Sequence, residues 1–332
     1  MKKYQKTLVI GILVGIIFLS IWAYFFDFCE LIKNVKNLNF FYLGLSIVSY
    51  ISAYFIRSVR WNRLLNPLRK FSLRQTYLWS LSGNFINYLI PIRAGEAARA
   101  LLIKKATRTP VSLVLPSIFI DKFFDTAGIF LILIMIPLLK IEMVPVLQWL
   151  VIIILIIFLI GVITLISAIV AEKKLVLILQ KVFFFVSDKY QAKVYSMIEM
   201  FVEGTALFKN HHRIFVQVIF LTFLGIVLDG LYFFLMFKAF GFDSINIAMI
   251  FFGYTLLNLS YILPQPPGQI GSNELLMSLI FVSGMGMAYT DAGSLIAVAH
   301  LLTGIVVSVL GILSLSVVGV RIIDLIDRSN NE

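Results

Sequence analysis

Val151-Ile152-Ile153-Ile154-Leu155-Ile156-Ile157-Phe158-Leu159-Ile160-Gly161 decides the fold, because it runs without one polar side chain. It lies inside a longer apolar stretch, 146–170. At about 1.5 Å of rise per residue, a helix of that length reaches across a hydrocarbon core about 30 Å thick. The stretch from Leu301 to Val320 is a second of the same kind. Of the 332 residues, 60% are apolar and 14% charged, and the mean hydropathy is +0.98. An ordinary soluble domain carries roughly 25% charged residues, so a soluble fold has too little surface for this composition. The chain reads as an all-α polytopic membrane protein. A secreted mini-protein, a soluble oxidoreductase and a nucleic-acid-binding module are excluded as readings of the whole.

Six stretches read as full crossings: 7–27, 39–57, 111–137, 146–170, 214–237 and 292–320. The first follows Lys2, Lys3 and Lys6 and resembles a signal sequence. No small-residue cleavage site follows it, and Phe26-Asp27-Phe28-Cys29 is a poor lipoprotein box, so it is expected to stay as a retained helix. Segments 1–6, 57–74, 93–108, 172–213 and 321–332 hold 23 of the 28 Lys and Arg residues. The opposite loops hold Lys33, Lys36, Lys140 and Lys238, and Lys122 lies within a span. That asymmetry places both termini in the cytoplasm, with the chain in the cell membrane. The net charge of +11 is read as this topology and as attraction to anionic lipid. Cys29 is alone, and His211 and His212 lie in a charged loop with no third ligand spaced to join them, so no disulfide, metal or other cofactor is expected.

Two apolar stretches do not fit as single crossings. Residues 75–92 lie between two basic segments on one side, so the chain must enter and return; residues 244–290 lie between outer loops and form a pair of spans or a hairpin entering from outside. Each carries helix breakers, Pro91 in the first and Pro264, Pro266 and Pro267 in the second. Broken backbone at membrane depth persists only when buried in protein or lining a wet cavity. Asn87-Tyr88-Leu89-Ile90-Pro91, leading to Gly95-Glu96, parallels Ser260-Tyr261-Ile262-Leu263-Pro264, leading to Gly271 and Glu274. The expected architecture is about eight membrane segments, including two broken or re-entrant hairpins related by an inverted repeat. One unit covers 1–332, with halves at about 1–170 and 214–332 and an amphipathic cytoplasmic segment at 172–213.

The chemistry concentrates at these breaks. Arg93, Glu96 and Arg99 can share a helix face, and Gly95 permits close approach. They read as an anionic-headgroup site or as a structural ion pair at the membrane interface. Pro267, Gly268 and Gly271 make a rigid, approachable turn before Glu274. Glu274 caps the next helix or meets a cation across the fold, with Arg93 or Lys122 as candidate partners. Asp121 and Asp125 lie on one helical face beside Lys122, as a proton relay, as counter-charges to the arginines of 57–74 or, weakest because no histidine or further acid is near, as a metal pair. Asp229 is a lone intramembrane acid and a candidate proton site. Arg57 and Arg60 can both face a cavity, or anchor the membrane interface beside Trp61. Gly11 and Gly15 have the spacing of a helix-packing pair.

Arg60-Trp61, the run Pro91 to Arg99 with its Gly-Glu-x-x-Arg core, Asp121 to Asp125, and the Pro-Pro-Gly segment reaching Glu274 together resemble the transmembrane region of the lysylphosphatidylglycerol synthase/flippase proteins. The resemblance implies about eight membrane segments and a role in moving lipids across the bilayer. Gln269 stands where that family usually has a second glycine, and Asp121-Lys122 where Glu-Arg is commoner. The soluble aminoacyltransferase domain of the synthases is not found, so lysyl transfer is not expected. The function expected is translocation of an anionic or aminoacylated phospholipid or a polyprenyl-phosphate-linked lipid, with Arg60, Arg93 and Arg99 on phosphate. The alternatives are a non-catalytic partner of an envelope lipid synthase or glycosyltransferase and, third, an intramembrane lipid-phosphate transferase or hydrolase. Expected partners are membrane lipids, an envelope-biosynthesis enzyme and a second copy of the chain, and not nucleic acid.

Overall fold

The computed structural model describes residues 3–24, 27–90, 94–139, 145–170, 172–182, 211–242, 246–260, 265–284 and 286–319, with short pieces between 191 and 202. Among them the elements are helical, and we number twelve α-helices. They are α1 (Lys3–Tyr24), α2 (Phe28–Lys36), α3 (Phe40–Leu65), α4 (Leu73–Leu89), α5 (Gly95–Thr107) and α6 (Val111–Leu139). After these come α7 (Pro145–Val170), α8 (Glu172–Val182), α9 (His212–Ala239), α10 (Ile247–Ser260), α11 (Ser272–Ser278) and α12 (Tyr289–Val318). A 3-10 turn at Pro267–Gln269 precedes α11, and a π-helical turn at Leu279–Gly284 follows it.

Local chemistry sets the helix starts. Asn39 accepts from the backbone N–H groups of Phe41 and Tyr42 at the head of α3. Ser72 and Gln75 form a reciprocal capping box on α4. Within the span regions α3, α9 and α12 are each long and apolar enough to cross a membrane. The surface confirms the setting. Ile152, Ile153, Ile156, Ile157, Ile160 and Ile163 of α7 are exposed, as are Ile305, Val309, Ile312 and Leu313 of α12, while ionic side chains are buried inside. An apolar exterior around a charged interior is how a chain solvated by lipid is arranged. The molecule is an all-α polytopic membrane protein.

Small residues let the helices approach. The most extensive pair is α3 with α9, where Ser46 and Ala53 are fully buried and the Ser49 hydroxyl donates to the Leu228 carbonyl at 2.8 Å. On α12, Gly304 faces Tyr88 and Gly311 faces Phe85 of α4, and Ser82 and Ser314 share a hydrogen bond of 3.0 Å. Gly15 of α1 packs against Pro266 and the Ile270 carbonyl, so half of the glycine pair read from the sequence does serve packing.

Two apolar cores result. One joins the end of α9 to α10, α11 and the start of α12 through Phe233, Met236, Phe237, Leu257, Met277 and Phe281. The other joins the end of α3 to α4, α5 and α6 through Trp61, Leu65, Trp79, Leu102, Ile103 and Ile120. Along α3, the first core packs on Leu43 and Tyr50, and the second begins at Trp61. The polar residues Tyr54, Arg57 and Arg60 fall in the gap between them.

The second crossing, expected to end at residue 57, continues as α3 to Leu65. The reason is electrostatic: Arg57 and Arg60 find carboxylates on α6 and α9, which removes the need to reach water. Trp61 is not an interfacial anchor. It is fully buried, and its indole N–H donates to Ser117 at 3.2 Å. The break at Pro91 is flanked as expected, with α4 ending at Leu89 and α5 starting at Gly95. Pro91 to Arg93, Tyr261 to Pro264, and the run Phe183 to Val186 lie outside the described residues.

Candidate functional site

A cavity of about 490 Å³ occupies the gap between the two cores, walled by α3, α4, α5, α6, α7, α9, α10, α11, α12 and the turn at 265–269. Among the side chains that line it are four cations with four carboxylates, several amides including Asn84 and Asn87, His300 and a group of tyrosines, with apolar side chains between them.

The charges are built into a connected lattice. Arg60 of α3 is 2% exposed, and every part of its guanidinium is engaged. Its Nε donates to Asp121 Oδ1 at 2.9 Å, one terminal nitrogen to Thr222 Oγ1 at 3.2 Å, and the other to the Asp121 carbonyl at 3.1 Å and to Asp125. Arg57, one helical turn earlier, pairs with Asp229 of α9 and lies 3.9 Å from Asp125. Arg99 of α5 donates to Asn84 at 2.7 Å, reaches Asp121 at 3.5 Å, and stacks 5.2 Å over the Trp61 ring. Lys122 bridges Asp125 at 3.2 Å and Glu96 at 3.6 Å. Arg57, Arg60, Arg99 and Lys122 therefore balance Glu96, Asp121, Asp125 and Asp229. Unpaired, each charge would cost several kcal/mol to hold at this depth; paired and hydrogen-bonded, they persist. Three atoms of the lattice keep spare capacity: Glu96 Oε2, Arg99 Nε and Asp229 Oδ1 are buried with no hydrogen-bond partner among the described residues.

Close helix contact positions this lattice. A methyl group on Gly95 would run into the Gly83 carbonyl, and one on Gly83 would lie 2.6 Å from Arg99 Cγ. Asn87 accepts from the Gly95 N–H at 2.7 Å and donates to Glu96 at 3.0 Å. Asn84 meets Arg99 while Asn87 meets Glu96, so α4 and α5 run antiparallel across the break. What approaches Gly95 is α4, which thereby aims Glu96 and Arg99 at the cavity.

The second break closes the other side. Gly268, Gln269 and Gly271 all have positive φ, at 66°, 58° and 81°. Gly271 is covered by Gly15 and Leu19 of α1, leaving no room for a side chain there. The Tyr88 ring of the first break stands edge-on to His300 at 6.5 Å and beside Gly268, so the two interrupted regions do meet.

Several expectations are revised here. Lys122, one candidate partner of Glu274, pairs instead with Glu96 and Asp125; Arg93, the other candidate, lies outside the described residues. The Glu274 carboxylate accepts from the Gly271 N–H at 2.7 Å and meets His300 at 2.5 Å. Asp229 is not a lone acid, because Arg57 neutralises it. Asp121 and Asp125 do hold the arginines of α3, the counter-charge alternative. Arg60, Glu96, Arg99, Asp121, Lys122, Asp125 and Asp229 all line the one cavity. Sequence reasoning missed His300, Asn84 and Asn87. The available signal for His300 was an imidazole in the middle of an apolar helix whose other charged residue, Asp291, lies in the first turn; desolvation at that depth requires a partner.

The chain is similar to a UPF0104 membrane protein of Methanocaldococcus jannaschii, 26% identical over 95% of this chain and 96% of that one. Two UPF0104 membrane proteins of Methanothermobacter thermautotrophicus are 26% and 22% identical, over 85% and 89% of this chain and the same shares of theirs. No solved structure is significantly similar. The family described as lysylphosphatidylglycerol synthase TM region matches residues 8–311. With that match running from α1 into α12, through both breaks and the ionic cavity, the chain belongs to this family.

Proposed function

We propose that the protein moves lipid headgroups between bilayer leaflets through the ionic cavity. The substrate class is an anionic or aminoacylated phospholipid, or a polyprenyl-phosphate-linked lipid. On this reading it is a multi-pass transporter of the cell membrane, not an enzyme, with cytoplasmic termini and two re-entrant hairpins related by an inverted repeat. The observation that supports it best is the charge lattice at the junction of two helix breaks. Carrying a phosphate through hydrocarbon means desolvating it, at a net cost of several kcal/mol. In this cavity the arginines already hold carboxylates, so an arriving phosphate exchanges one anionic partner for another. The cost of desolvation is then replaced by the smaller cost of a partner swap. Arg60 and Arg99 would take the phosphate. Glu96, with an open carboxylate oxygen, would take a cationic group or hold Arg99 in place.

The test is leaflet exchange of fluorescent phosphatidylglycerol in proteoliposomes. Glu96→Ala and Arg99→Ala are each expected to abolish exchange while the helical circular-dichroism signal and elution profile stay those of the wild type. Unchanged exchange in both variants would remove these residues from the function.

A further inference from the structure

Glu274 of α11 and His300 of α12 meet beside the cavity, each with more than nine-tenths of its side chain buried. His300 Nε2 lies 2.8 Å from the Gly268 carbonyl oxygen, and Nδ1 lies 2.5 Å from Glu274 Oε1. A carbonyl oxygen only accepts, so Nε2 carries a hydrogen. Nδ1 and Oε1 can then hold contact only with one proton between them. The pair is an imidazolium with a carboxylate, or a neutral imidazole accepting from a carboxylic acid. In both forms it is neutral overall and holds one proton more than a free imidazole and carboxylate would.

We propose that Glu274 and His300 together bind one exchangeable proton, and that this proton is the coupling ion of the cavity. The second half of the proposal rests on the translocation reading; the first does not. Asp121, Asp125 and Asp229 are poorer proton carriers, because a proton arriving there must displace a guanidinium. Among the described residues the Glu274–His300 pair is the buried acid whose charge is balanced by a proton alone.

Loss of the proton has a defined consequence. It passes from the Nδ1–Oε1 bond to water in the cavity and leaves its electron pair behind. The Nδ1 lone pair then faces a carboxylate, and the contact becomes repulsive. The turn at Gly268–Gly271 is tied through this contact at both ends, since His300 donates to the Gly268 carbonyl while Glu274 accepts from the Gly271 N–H. The positive φ of Gln269, a residue with a Cβ, gives the turn a second reason to relax when the tie opens. Protonation therefore clamps the turn between α1 and α12, and deprotonation releases it.

The titratable surroundings do not compete. The groups that share the cavity wall with His300 are the phenols of Tyr88 on α4, Tyr50 and Tyr54 on α3, Tyr232 on α9 and Tyr254 on α10, and the charges Arg57, Arg60, Glu96, Arg99, Asp121, Lys122, Asp125 and Asp229. The tyrosine hydroxyl of residue 232 is occupied with the Ala299 carbonyl at 3.3 Å. The charged side chains of the wall, on α3, α5, α6 and α9, are engaged with one another. On α2, which also packs on α12, Glu30 and Lys33 pair at the surface.

The full chain carries three histidines, so His211→Gln with His212→Gln leaves His300 as the sole imidazole. In nitrogen-15 resonance spectra of that protein in lipid nanodiscs, Nε2 is expected to be protonated and Nδ1 to share a proton that is lost on alkaline titration. Adding Glu274→Gln should abolish the shared signal. An unprotonated Nε2, or the same titration with Glu274→Gln, overturns the proton site. In phosphatidylglycerol proteoliposomes an imposed pH gradient should change wild-type exchange several-fold, and Glu274→Gln and His300→Gln should lose that response. An equal response in the variants, or no response in the wild type, overturns coupling. If the wild type exchanges no lipid with or without a gradient, the translocation reading fails, and the resonance result alone decides whether the proton is bound.

Discussion

Arg60 Nε donates to Asp121 Oδ1 at 2.9 Å, and the two side chains are only 2% and 4% exposed. A charge pair this deep is held by mutual need: either partner alone is an uncompensated charge in a low-dielectric interior.

Arg60→Ala is therefore expected to destabilise the folded protein by about 3–5 kcal/mol, because it strands Asp121 and weakens the hold on Asp125. Arg60→Ala combined with Asp121→Asn should be less damaging than the sum of the two single changes, since the stranded charge is gone. Thermal denaturation in detergent checks both; strict additivity would mean that the two groups are not coupled.

Gly95→Ala tests the α4–α5 contact. The added methyl meets the Gly83 backbone carbonyl, which cannot rotate away as a side-chain tip can. A loss of about 1–3 kcal/mol is expected from the forced backbone shift. Because Glu96 and Arg99 ride on the displaced helix, lipid exchange should fall even in the fraction that stays folded. A melting temperature and exchange rate equal to the wild type would show that α4 and α5 separate freely.

Gln269 has φ +58°, and its side chain lines the cavity. Left-handed backbone costs a residue with a Cβ about 1–2 kcal/mol, and a β-branched residue fares worse. Gln269→Gly should thus leave the melting temperature equal or higher, the relief of strain offsetting the added unfolded-state freedom. Gln269→Val should lower it. Altered preference among lipid headgroups in Gln269→Gly, measured in the exchange assay, would follow from emptying that part of the wall.

Gly268→Ala isolates the same effect without crowding. A methyl there would have its nearest contact at 3.4 Å, so only the φ of 66° opposes it. A loss of about 1–2 kcal/mol in thermal denaturation is expected.

Much of this arrangement was legible from residue order. Pro91 and the prolines near 264–267 marked both interruptions, because a missing donor and a restricted preceding residue act locally. Asp121 and Asp125 were placed on one face by a spacing of four, and both do face the arginines of α3. The reading failed where a residue's meaning lay in a partner distant along the chain. Trp61 looked like an interfacial anchor, and only the packing of α3 on α6 buries it. Asp229 looked alone because Arg57 is 172 positions away.

Composition and period, then, were enough to establish helices in lipid, their breaks and the ionisable groups near them, since hydrophobic length and backbone stereochemistry act over a few residues. Which charges neutralise each other, that His300 answers Glu274, and that Gly95 admits a helix were decided by tertiary structure alone. The physical reason is that a buried charge is stabilised by whatever lies within a few ångströms of it, and helix packing, not sequence separation, sets that distance.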